Sequence, residues 1–109
     1  MELIDIVDEN NKTFTVSDNA LYSKDYKILY KWLNNNVKNP NINPATTKVE
    51  AKAFEEANIK TLDLKNVTDV MYGAFAECKY LTDVNFGKVT NIKDNGFMYC
   101  SSLTKIALP

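Results

Sequence analysis

The sequence predicts an α/β solenoid, a short stack of coils with one short strand and one helical turn in each coil of about 22 residues. Three observations carry this prediction. Residues 49–64, 70–86 and 92–108 align as three versions of one line. Within that line Phe75, Cys78, Leu81, Val84 and Phe86 return as Phe97, Cys100, Leu103, Ile106 and Leu108, each 22 residues later, while Phe54 precedes Phe75 by 21. The period also switches inside each line. Apolar residues three apart (Phe75, Cys78, Leu81) read as a helical or 3₁₀ turn. The alternation after Leu81 reads as a strand that turns Asp83 and Asn85 outward. No such unit buries its apolar face alone, so each coil must stack on the next.

The chain of 109 residues is read as one domain, 1–109, with an N-terminal strand and hairpin unit (1–33), a connector (34–48) and regular repeats (49–109). In the first part, Leu3, Ile6 and Val7 suggest a strand, followed by a turn at Asp8-Glu9-Asn10-Asn11. Phe14-Thr15-Val16 and Ala20-Leu21-Tyr22 flank Ser17-Asp18-Asn19, where Asn accepts the left-handed backbone of a tight turn. Residues 20–33 admit two readings. Strand formers from Lys27 to Trp32 suggest a second hairpin, while Tyr26, Leu29, Tyr30, Leu33 and Val37 are spaced as a helical stripe. Asn34-Asn35-Asn36 ends either element. The connector, with Pro40, Pro44 and several asparagines, reads as a surface loop.

Composition narrows function by exclusion. With 13 Lys and Arg against 14 Asp and Glu, the chain has no basic footprint for nucleic acid. No apolar run approaches the roughly 18 residues of a membrane span, and the acidic N-terminus does not resemble a secretory signal. There is no histidine, which removes the commonest general base and metal ligand. Two cysteines cannot make a zinc site unaided. No catalytic residue, metal site or cofactor is predicted. The remaining enzyme class, a carboxylate hydrolase, needs two acids facing across a cleft, and Asp63 and Asp83 are expected side by side on one sheet.

The repeat itself carries a resemblance. Ala74-Phe75-Ala76-Glu77-Cys78-Lys79-Tyr80-Leu81-Thr82-Asp83-Val84-Asn85-Phe86 and its copy from Gly96 to Pro109 resemble the BspA-like leucine-rich repeat, whose unit reads roughly A-F-x-x-C-x-x-L-x-x-I-x-L-P. Upstream, Ala20-Leu21-Tyr22-Ser23-Lys24-Asp25 is similar to the family's hairpin variant, and this tips residues 20–33 towards the hairpin. Asn19-Ala20 stands where the family has Gly-Val, and Ala57 where later coils have Cys. The resemblance implies a non-enzymatic protein-binding module, engaged in adhesion or host interaction. The alternative is a stand-alone intracellular interaction protein, or a small microbial or viral inhibitor. The family points to the cell surface for a fragment, and the missing signal to the cytoplasm for a complete chain.

Candidate partner-binding residues are the outward strand positions expected to line a concave face: Lys60, Thr61, Asp63, Lys65, Thr82, Asp83, Asn85 and Lys105. Tyr72, Tyr80 and Tyr99 are candidate anchors on the other sides. Cys78 and Cys100 are expected as stacked, buried and reduced thiols that resist labelling, with a cross-coil disulfide or a reactive thiol as the alternatives. Leu108-Pro109 closes a unit, so the last strand is expected as an open edge: continued by a longer array, paired with a second copy as a homodimer, or blunted by Pro109.

Overall fold

The computed structural model describes residues 12–103. The strand expected at 3–7 and the position of Lys105 lie outside them. Among the described residues, eight short strands form two sheets. The first three are β1 (Phe14–Ser17), β2 (Ala20–Ser23) and β3 (Ile28–Trp32), paired as an antiparallel meander. Asp18 and Asn19 both take positive φ (46° and 68°), the geometry that a two-residue hairpin turn requires. The second turn is tied by the Ser23 hydroxyl, which donates to Asp25 at 2.7 Å, and by the Lys27 N–H, which donates to the same carboxylate oxygen at 3.1 Å. The hydroxyl bond, then the backbone one, holds the Asp25 carboxyl below its ordinary range. The helical stripe over 26–37 is therefore not realised. Tertiary pairing with β2 overrides the spacing.

The remaining strands are β4 (Lys48–Val49), β5 (Thr61–Asp63), β6 (Asp69–Val70), β7 (Asp83–Asn85) and β8 (Asn91–Ile92). One sheet runs β1-β2-β3-β4-β6-β8, turning parallel after β3, and the other is the parallel pair β5-β7. The coils that begin at β4 and β6 thus each contribute a strand to both sheets, not one strand alone. Val49, Val70 and Ile92 sit in register along the sheet that the spacing did not predict.

The predicted helical turns are a correction. No helix occurs among the described residues. Residues 51–56, 72–77 and 94–99 are successions of turns. In the first, Ala53, Glu55 and Ala57 donate their N–H groups three residues back, to Glu50, Lys52 and Phe54, while Lys52, Phe54 and Glu56 donate theirs to Tyr72, Ala74 and Ala76 of the next coil. The second repeats this, with Gly73, Phe75 and Glu77 donating to Asp94, Gly96 and Met98. Alternate amides can leave the coil because its backbone enters the left-handed region at Lys52, Gly73 and Asn95, and again at Glu56, Glu77 and Tyr99. A helix aims every N–H along its own axis and could not knit coils this way.

Inside the coils runs an aromatic column. Trp32, Phe54, Phe75 and Phe97 stack with centroids 5.2, 4.8 and 5.0 Å apart and planes within 21° of parallel. Trp32 was not foreseen in it. Its indole N–H is buried and has no partner among the described residues, at a cost of about 1–3 kcal/mol. Burying some 150–250 Å² of ring stabilises by roughly 4–6 kcal/mol, so the stack prevails. The connector is more than a surface loop. Ile42 and Thr46 are fully buried, the Thr46 hydroxyl donates to Tyr26 O at 2.6 Å, and Asn43 N–H donates to the Tyr22 hydroxyl at 3.0 Å. Thr47, Thr68 and Thr90 form a corner ladder, each hydroxyl donating to a carbonyl of the coil before: Lys27, Thr47 and Thr68.

Candidate functional site

The strand-face stripe assembles on β5 and β7. Thr61 pairs with Asp83, Leu62 with Val84 and Asp63 with Asn85. Asp63 and Asp83 are thus diagonal neighbours on one surface, not acids facing across a gap. Over the sheet lies an open cleft of about 440 Å³, lined by Thr61, Asp63, Thr82, Asp83 and Asn85 with Pro40 at its margin.

Much of the stripe is engaged within the fold. The Lys65 ammonium donates to Asn41 Oδ1 at 2.6 Å and to Ile42 O at 2.7 Å, pinning the connector. The Thr61 hydroxyl donates to Asn39 Oδ1 at 2.6 Å. Asp63 accepts from Lys65 N and Asn85 from Gly87 N, both shaping the turns that leave the strands. The Thr82 hydroxyl reaches Lys60 O at 3.3 Å. Lys60 and Asp83 remain exposed, with side chains that meet no polar partner among the described residues.

The two cysteines differ. Cys78 is buried and its thiol donates to Phe54 O at 3.2 Å; Cys100 is half-buried and donates to Phe75 O at 3.1 Å. Both are free thiols. The neighbouring Cys100 thiol, and then burial, push the Cys78 thiol up, while the proximity of Cys78 brings Cys100 down to about 7. Equal shielding is therefore corrected. In the native state one thiol per chain is expected to react with a disulfide reagent, mapping to Cys100, and Cys78 is expected to react only on unfolding. Two equal fast phases would contradict the assigned stacking.

Several large side chains with apolar surface are exposed on the coils. Tyr72 is 54% exposed, Tyr80 60%, Tyr99 68% and Met98 40%. The three tyrosines named as anchors are therefore in solvent; Tyr72 and Tyr99 stand on the turn face, whereas Tyr80 borders the stripe, in a cleft that it shares with Lys60 and Thr82. Met98 was missed, since its slot holds Glu55 and Ala76 in earlier coils. At the far end of this face the N–H groups of Asn95, Phe97 and Tyr99, which correspond to Gly73, Phe75 and Glu77, have no acceptor among the described residues.

The family model described as "BspA type Leucine rich repeat region (6 copies)" matches residues 30–109. The crystal structure of the pneumococcal vaccine antigen PcpA superposes with a TM-score of 0.76 at 17% identity, over 88% of this chain and 30% of that one. The shared feature is the leucine-rich-repeat fold, and this chain spans less than a third of PcpA's length. No curated protein matches in sequence.

Proposed function

Because this chain belongs to the BspA type leucine-rich-repeat family, we propose that it is a non-enzymatic protein-interaction module that binds a partner across the β5/β7 face. The observation that carries this reading is the open cleft, with Lys60 and Asp83 left unspent beside side chains already fixed by the fold. A face whose polar groups are held in place loses little conformational entropy on binding. Adhesion or host contact is the finer form of the proposal. It is supported by the family and by the description of PcpA, a structural neighbour, as a vaccine antigen.

The test is photo-crosslinking from position 83, compared with position 88 on the turn that follows β7, in the presence of host-cell surface extract. A discrete adduct from position 83, abolished by Lys60→Glu, is expected. Equal adducts from both positions, or none from position 83, would refute the face.

A further inference from the structure

A second surface lies on the turn face. A groove of about 280 Å³ crosses all three coils there. Its floor is made by small residues, Gly73 and Ala76, both buried. Tyr72, Met98 and Tyr99 rise from it into solvent. Glu55 and Glu77 also line it, and neither carboxylate has a hydrogen bond or ion pair among the described residues. Lys52 is the one cation in the lining. Exposed aromatic faces beside uncompensated carboxylates suit one kind of side chain: a planar cation with an aliphatic stem, able to stack on a ring and donate two N–H groups to a carboxylate.

We infer that this groove receives an arginine-bearing, apolar-flanked segment of a partner protein, its guanidinium placed between the tyrosine rings and the Glu55 and Glu77 carboxylates. The inference rests on the interaction-module reading but not on the β5/β7 face. Tyrosine and arginine are the residue types that dominate interface energies, and the tyrosines are already in place. The groove also runs across the coils, so an extended segment would contact all three. A neutral glycan could stack on the rings and donate hydroxyls to the carboxylates, but it would leave both charges unbalanced.

The test uses the ¹⁵N-labelled chain titrated with the peptide acetyl-Gly-Leu-Arg-Leu-Gly-amide and followed by amide shifts. Shifts are expected at 51–55, 72–77 and 95–99, with affinity falling about tenfold in the Glu55→Gln/Glu77→Gln double variant and again in Tyr99→Ala. All three positions are exposed or half-buried, and the folded spectrum of each variant is its own control. Equal response to the glutamate analogue of the peptide would overturn the inference. So would response only to cellotetraose, or no response at millimolar peptide. Shifts confined to 61–63 and 83–85 would overturn the groove and leave the β5/β7 proposal standing. Loss of the position-83 crosslink beside intact groove shifts would do the reverse.

Discussion

Phe75→Ala is expected to destabilise the domain by about 3–5 kcal/mol, read as a shift in the urea midpoint. Phe75 is completely buried and lies between two stacked neighbours, Phe54 at 4.8 Å and Phe97 at 5.0 Å. Truncation removes the ring's own burial and both stacking contacts, and the turn backbone on either side is hydrogen-bonded to adjacent coils, so the cavity cannot collapse readily. A single domain of this size holds only some 5–15 kcal/mol, so a large part of its stability goes with one side chain. Phe97→Ala is the internal comparison. Phe97 is only half-buried and has one parallel neighbour, with Phe86 meeting it edge-on at 5.4 Å. A Phe97→Ala cost equal to or above that of Phe75→Ala would refute the column as the centre of the core.

Gly87→Ala is the second large effect, and its cause is backbone. Gly87 has φ +55°, and a methyl group there would lie 2.3 Å from the Lys65 carbonyl oxygen. Strain in the left-handed region costs about 1–3 kcal/mol for a residue with a side chain, and the clash comes on top because a carbonyl in a stacked coil cannot step aside. The comparison is Gly73→Ala. Gly73 has a similar φ of +60°, but its added methyl would meet Lys52 Cγ at an ordinary 3.6 Å. Thermal melts should therefore place Gly87→Ala well below Gly73→Ala. Equal melting temperatures would mean that conformation alone, not the close approach of coils, fixes Gly87. Lys65 occupies the matching slot one coil earlier with φ +49° and keeps its side chain.

The stacking register was legible because Phe, Cys and Leu recur at one interval, and the hairpin because Asp18-Asn19 stands between two strand-forming runs. The turn segments were not. Apolar residues three apart occur both in a helix and in successive tight turns, and the spacing of Phe75, Cys78 and Leu81 does not distinguish them. A signal was available in the slot shared by Lys52, Gly73 and Asn95: Gly and Asn in equivalent places ask for a left-handed backbone, which a helix interior excludes. Two-residue strands such as β4, β6 and β8 are too short to show alternation. The strand-face stripe followed from the repeat, but the engagement of Thr61 and Lys65 did not, since their partners Asn39, Asn41 and Ile42 lie in a connector with no periodicity. The turn-face groove left no periodic trace at all. Tyr72 shares its slot with Ala51 and Asp94, and Tyr99 shares its slot with Glu56 and Glu77, so the rings meet only in three dimensions.

The amides that link the turn segments all point one way. From Trp32 to Glu77, the coil nearer the N-terminus donates and the next one accepts. The peptide dipoles along this side therefore add, much as they do in a helix, but with the positive pole at the C-terminal end of the stack. The two poles are chemically unlike, one offering hydrogen atoms and the other oxygens. A two-fold axis placed at the C-terminal pole would set donors against donors on this side. Growth along the turn ladder is vectorial, and any second copy that extends it must arrive in the same orientation as the first.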